Sequence, residues 1–139
     1  FLLNKFFPAP NKMGDFVARI LIVEDSLSVR VSLRNILEPL GHEIVDAVSG
    51  QDALDKLAES HSYDVIITDI NMPDMDGMTF IKHQKENEIY SQIPTIMCTT
   101  EPDPNVAIEA KKVGVIKAWI TKPVRPEVLI TFVNRLIKK

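Results

Sequence analysis

Short apolar, β-branched runs alternate with helix-length amphipathic stretches along nearly the whole chain, and that alternation leaves few folds open. Arg19-Ile20-Leu21-Ile22-Val23 is apolar without a break after its first residue, as a parallel strand covered on both faces should be. Ser26 then offers an N-cap to a stretch carrying Val29, Leu33, Ile36, Leu37 and Leu40 at helical spacing, and Gly41 supplies its stop. The unit recurs. Residues 43–48 read as a second strand, followed from Ser49 by a helix with Ala53, Leu54 and Leu57 inward. Residues 65–68 are a third, ending in Asp69, with a turn and then a helix from about Met78 to Glu86. Residues 94–99 are a fourth; Asp103-Pro104 then places a cap before a proline, opening a helix that carries Val106, Ile108, Ala110 and Val113 and runs to Gly114. Ala118–Thr121 is the fifth strand, and Pro126 opens a last helix bearing Val128, Leu129, Phe132, Val133, Leu136 and Ile137. Five strands alternating with five helices predict a doubly wound α/β domain: a parallel sheet with helices on both faces.

Length allows this as one domain with a real core, since the chain has 139 residues. A net charge of -3 leaves no basic footprint for nucleic acid. Cys98 is the single cysteine, so an intrachain disulfide is excluded, and its apolar neighbours predict a buried thiol. No apolar stretch approaches the roughly 18 residues of a membrane span. The opening Phe1-Leu2-Leu3-Asn4-Lys5-Phe6-Phe7 is apolar but short, without a charged n-region or a small-residue cleavage site. Residues 1–17 are therefore read as a leader, a linker remnant or an added extension, and residues 18–139 as the folded domain.

Doubly wound sheets place their sites outside the carboxyl ends of the strands. There the first strand ends in Glu24-Asp25, the third in Asp69, the fourth in Thr99-Thr100, and the fifth leads to Lys122-Pro123. Crowded carboxylates repel one another unless a cation joins them. Ligands that are all oxygen, with no histidine and no usable cysteine, favour a hard ion, Mg2+ or Mn2+. Such an ion, held by Asp25 and Asp69 with Glu24 acting through water, would neutralise an incoming phosphoryl group. Lys122 would balance the remaining charge, and Thr99 would hydrogen-bond a phosphoryl oxygen. An aspartate nucleophile gives an acyl phosphate.

The set Val23-Glu24-Asp25-Ser26, Asp69 to Gly77 (Asp-Ile-Asn-Met-Pro-Asp-Met-Asp-Gly), Thr99-Thr100-Glu101 and Lys122-Pro123 resembles the response-regulator receiver family, most of all its small stand-alone chemotaxis-type members. The likeness covers roughly residues 18–139 and implies a flavodoxin-like sheet of order 2-1-3-4-5, an order carried over from the chemotaxis members and not contained in the alternation itself. It implies Asp69 as phosphoacceptor, Glu24 and Asp25 as Mg2+ residues, and the main-chain carbonyl of Asn71 as a further ligand. Thr99 and Lys122 would contact the phosphoryl group, and Lys122-Pro123 would be a cis peptide. Trp119 would be the aromatic switch, and Asn71 and Glu101 would tune self-dephosphorylation. A histidine kinase or phosphotransfer protein is the implied donor. The output target is implied to bind the face of the fourth helix and fifth strand, around Lys111, Lys117 and Trp119. A cytoplasmic monomer or weak dimer, not a conventional enzyme, follows from the same likeness. One departure is local: Gly114 to Trp119 is five steps where the family often has four, which predicts a longer loop there.

Taken singly, each residue has a plainer reading. Asp25 before Ser26 is also a capping element, residues 72–77 are also a turn, and Thr99 is also an ordinary β-former. Lys122 is also a solvated charge and Trp119 also rim packing. Their joint arrival at one edge favours the chemical reading. His42, His61 and His83 fall outside that edge and read as surface residues, while Lys111-Lys112 and Lys138-Lys139 read as solvated helix faces. A haloacid-dehalogenase-type phosphatase would need an acid two residues past the nucleophile, where this chain has Asn71. A phosphorylation-independent receiver would usually have lost an acid or the lysine, and all are kept here.

Overall fold

A computed structural model of the protein describes residues 17–60, 62–72, 75–100 and 103–137. Among these, the strands β1 (Arg19–Val23), β2 (Glu43–Ala47), β3 (Val65–Asp69), β4 (Thr95–Thr99) and β5 (Ile116–Thr121) alternate with the helices α1 (Leu27–Leu37), α2 (Gly50–Glu59), α3 (Gly77–Glu86), α4 (Pro104–Val113) and α5 (Pro126–Ile137). The strands form one parallel sheet in the order β2-β1-β3-β4-β5. Serine and aspartate side chains start four of the helices: Ser26 accepts from the Val29 amide, Ser49 from Asp52 and Asp103 from Asn105, as the sequence placed them, and Asp76, which read as part of a turn, accepts from Thr79.

Alternation along the central strands builds two cores. Leu21, Val23, Ile66 and Met97 pack with Ala53, Leu57, Phe80, Ile81 and Ala110 from α2, α3 and α4. Ile20, Ile22, Ile67, Ile96 and Cys98 pack on the other face with Leu33, Leu37, Leu129 and Val133 from α1 and α5. Both faces of β1 and β3 are thus dry, which accounts for their unbroken apolar sequence. Burial pushes the Cys98 thiol up to about 12, so it packs as a small apolar group.

Three expectations are corrected, and the outward side of α4 is identified. The first helix does not run to Leu40: it stops at Leu37, and Glu38–Leu40 form a 3-10 turn ending at Gly41, whose φ is 96°. Pro39 lacks the N–H that another α-helical turn needs, and Leu40 is left exposed. Ile108 points outward, being 55% exposed, because α4 buries only Ala110 fully and tucks Val106 and Val113 partly. The extra residue between Gly114 and Trp119 does not lengthen a loop. It lies inside β5, which begins two residues earlier than expected: Thr95 pairs with Ile116 and Ile96 with Ala118, leaving Lys117 as a bulge. The bulge resets the alternation so that Ile116 faces the same core as Trp119, while Ala118 and Ile120 face the other.

His42 is not a surface residue. It is buried, and its Nδ1 accepts a hydrogen bond from the Ala18 backbone N–H at 3.0 Å. Burial lowers its pKa, against the opposing charge of Asp64. His83 is exposed, 3.9 Å from Glu86, and His61 and Lys138-Lys139 lie outside the described residues. A proton on Nδ1 would destroy the acceptor that Ala18 uses. The folded state therefore resists protonation that the unfolded chain accepts from about pH 6.5 downward, so stability is full above that pH and is lost as pH falls toward the lower folded value. Thermal unfolding between pH 7.5 and 5.5 should show a falling Tm for wild type and a flatter profile for His42→Asn, whose amide oxygen can replace Nδ1. Parallel profiles would show that His42 contributes nothing to the slope.

Candidate functional site

The strand ends deliver the acids to one edge. Val23 closes β1 opposite Thr68, so Glu24 and Asp25 emerge beside Asp69, the last residue of β3. Oxygens from Glu24, Asp25 and Asp69 lie within 4.8 Å of one another. Glu24 and Asp69 are buried, and Asp25 is exposed. On the other flank the Lys122 amide donates to the Thr99 carbonyl at 2.8 Å, tying the exit of β5 to the end of β4. The Lys122–Pro123 peptide bond is cis.

One ammonium serves two carboxylates. Lys122 Nζ donates to Glu24 Oε1 at 2.8 Å and to Asp69 Oδ2 at 3.1 Å. The second oxygen of each acid is held by backbone: Glu24 Oε2 by the Ser26 amide at 3.1 Å, Asp69 Oδ1 by the Ile70 amide at 2.7 Å and the Asn71 amide at 3.3 Å. Burial raises the pKa of Glu24, with Lys122 and the Ser26 amide working against it and the charge of Asp69 adding to it. Burial alone would lower Lys122, but its hydrogen bonds to Glu24 and Asp69 and their charge outweigh this and raise it. The lysine therefore stays charged.

Thr99 is fully buried at the end of β4, and its Oγ1 has no hydrogen-bond partner. It lines a cavity of about 200 Å³ together with Asn71, Asp76, Val106 and Trp119. Trp119 is half-buried, and its indole Nε1 is likewise buried without a partner. The expected site residues Glu24, Asp25, Asp69, Asn71, Thr99, Lys122 and Trp119 thus converge on this edge and its adjoining cavity. Glu101 lies outside the described residues, as do Pro73 and Asp74 of the intervening loop.

Two contributors escaped the sequence reading. Gly77 read as one residue of a turn, yet a Cβ there would overlap the Asp69 carbonyl oxygen and stand 2.6 Å from the Ile70 Cα. Its amide donates to the Ile70 carbonyl at 2.7 Å, so the start of α3 is pressed against the residue pair that carries Asp69. Only glycine permits that approach. Arg30, on the second turn of α1, donates from Nη1 to the Glu24 carbonyl at 2.8 Å. An arginine inside an amphipathic helix that also carries Arg34 gives no signal that it turns back toward the preceding loop.

The donor set suits a small hard cation: it is all oxygen, three carboxylates strong, and has one protein ammonium against them. The profile of the response regulator receiver domain family matches residues 20–134. The chain is 38% identical over 112 residues to a chemotaxis protein CheY homolog of Campylobacter jejuni, covering 80% of this chain and 85% of that one. It is 35% identical over 120 residues to the chemotaxis protein CheY of Bacillus subtilis, covering 86% and 97%. The solved structure of chemotaxis protein CheY4 from Vibrio cholerae superposes with a TM-score of 0.80 at 38% identity, covering 86% of this chain and 98% of that one.

Removing the shared ammonium should leave two buried carboxylates uncompensated. Lys122→Met is expected to lose about 3 kcal/mol of stability in urea unfolding with EDTA present, and to regain part of it in millimolar Mg2+. Equal stability of variant and wild type in EDTA would refute the pairing.

Proposed function

The chain belongs to the response regulator receiver domain family, and from that premise we propose that Asp69 is its phosphoacceptor, within a receiver unit of residues 18–139. Receivers of this family are signalling domains phosphorylated on an aspartate. The observation that carries the assignment to Asp69 is its bridging to Glu24 through Lys122, beside a Thr99 hydroxyl that has no partner of its own.

In the proposed step an Asp69 carboxylate oxygen attacks phosphorus on a phosphohistidine of a sensor kinase or phosphotransfer protein. The O–P bond forms as the P–N bond breaks, and the imidazole keeps the electron pair. Asp69 is preset for this, because backbone amides and Lys122 fix both oxygens and no reorientation is needed. Lys122 is already charged and follows the developing negative charge onto the phosphoryl oxygens. Thr99 donates its free hydroxyl to one of them. Mg2+, with Mn2+ as the alternative, would be held by Asp25, Asp69 and the Asn71 carbonyl with Glu24 through water, and supplies the charge that offsets phosphate against carboxylate.

Engagement of Thr99 draws its side chain toward the phosphate and changes the wall of the cavity it shares with Trp119. The indole then has a different neighbour, and the face of α4 and β5 is altered where Lys111, Lys117 and Trp119 would meet the output target. The bulge at Lys117 belongs to that face. The reading includes a cytoplasmic place of action alongside the kinase. No helix among the described residues is long and apolar enough to cross a membrane.

Intact-mass analysis with acetyl phosphate and Mg2+ should show a gain of ~80 Da, one phosphoryl unit, in wild type and none in Asp69→Asn. A gain that persists in Asp69→Asn would move the acceptor elsewhere. Asn71 and Glu101 are proposed to leave a path for attacking water, so after removal of the donor the gain should decay comparatively fast. Retention for many hours would overturn the self-dephosphorylation reading.

A further inference from the structure

Glu24 is held from every side, and one of its holders belongs to no assigned role. Its backbone N–H donates to the Ala47 carbonyl of β2 at 3.0 Å, Oε2 accepts from Ser26, and Oε1 from Lys122. The remaining group, its carbonyl, takes the guanidinium of Arg30 at 2.8 Å. Arg30 is itself aimed by a carboxylate: its Nε lies 3.7 Å from Asp46 Oδ2, and its side chain is only 12% exposed. Asp46 sits on β2 opposite Ile22 and is fixed in turn by Arg34 Nη1 at 2.7 Å. A chain of contacts thus runs from the edge strand β2, through Asp46 and Arg30, to the peptide joining Glu24 to Asp25.

We propose that Arg30 is a positioning residue for the cation site: by gripping the Glu24 carbonyl it holds the Glu24–Asp25 peptide so that both acids face Asp69 before any ion arrives. The proposal rests on the reading of this edge as a Mg2+ site. Three carboxylates in such proximity repel one another, and a loop free to move would relieve that by swinging the exposed Asp25 away. Gripped at the carbonyl between the two acids, the loop has that escape blocked, and the ion does not have to reassemble its ligands.

Charge and position predict opposite signs. A guanidinium acting only as a nearby positive charge would repel Mg2+, so its removal would tighten binding. A guanidinium acting as a clamp would, on removal, loosen it. Isothermal titration with MgCl2 should give Arg30→Gln a dissociation constant about tenfold weaker than wild type, in the range found for residues that orient metal ligands. Arg30→Lys keeps the charge, but its single ammonium cannot span Asp46 and the Glu24 carbonyl together, so it should be weaker by a smaller factor. Thermal unfolding in EDTA reports whether each variant is folded; if Arg30→Gln is not, Arg30→Lys decides alone. Unchanged or tighter Mg2+ binding by a folded variant overturns the proposal. Absence of Mg2+ binding by wild type would instead overturn the site reading on which it rests.

Discussion

Two buried carboxylates share one ammonium, and neither acid sits comfortably without it. Glu24 and Asp69 stand on neighbouring strand ends, where parallel pairing of β1 with β3 leaves them no room to separate. An isolated buried carboxylate would take up a proton or drag the loop into water. Lys122 prevents both, and it reaches them only because β5 ends at the same level as β4, through the bond from its own amide to the Thr99 carbonyl. The rest of the edge is arranged around this shared charge. Backbone amides occupy the oxygens that the lysine leaves, and Asp25 stands free at the rim with its oxygens available.

The unpaired groups lie next to the paired ones. Thr99 and Trp119 each bury a polar atom without a partner, on one cavity beside Asp69. Buried polar groups are ordinarily satisfied, and one left alone costs on the order of 1–3 kcal/mol. Such a cost is tolerated where a partner arrives in another state. A phosphoryl oxygen on Asp69 would be an acceptor for Thr99, so the free energy of an unmade hydrogen bond becomes available to shift the conformational equilibrium. A switch of this kind needs only a few kcal/mol of differential interaction, which one or two such groups supply.

The strand ends were legible in the sequence because parallel strands buried on both faces leave a continuous apolar run, and the first polar residue after it marks the edge. Glu24 and Thr99 are those first polar residues, while Asp69 and Lys122 each follow a threonine, Thr68 and Thr121, at the same edge. What escaped depends on contacts made between elements. Helical spacing cannot tell that Ile108 faces water, since α4 lies on its neighbours with a narrow stripe. Nor does composition distinguish a buried histidine from an exposed one: His42 is inside because the Ala18 amide needs an acceptor there. The extra residue before Trp119 was visible as a count. Its conversion into a bulge follows from pairing with β4, where both Ile116 and Trp119 must reach the same core. Gly77 is the clearest case, for its reason is an atom of the strand end that no local pattern reveals.

Support for the site therefore comes from both margins of the sheet. On one margin β2 contributes the Ala47 carbonyl to the Glu24 amide and, through Asp46, the orientation of Arg30. On the other, β5 contributes Lys122. Asp69 lies on the central strand between them, held at its own carbonyl end by the close approach of Gly77. Edge strands are usually the softer parts of a sheet, since each is paired on one side only. A site built across the full width of the sheet is consequently sensitive to both edges. A partner that grips β5, or a substitution that disturbs β2, acts on the same three carboxylates from opposite directions. Changes at Asp69, the proposed phosphoacceptor, would in turn be felt at either margin, because the couplings between sites in an equilibrium are reciprocal.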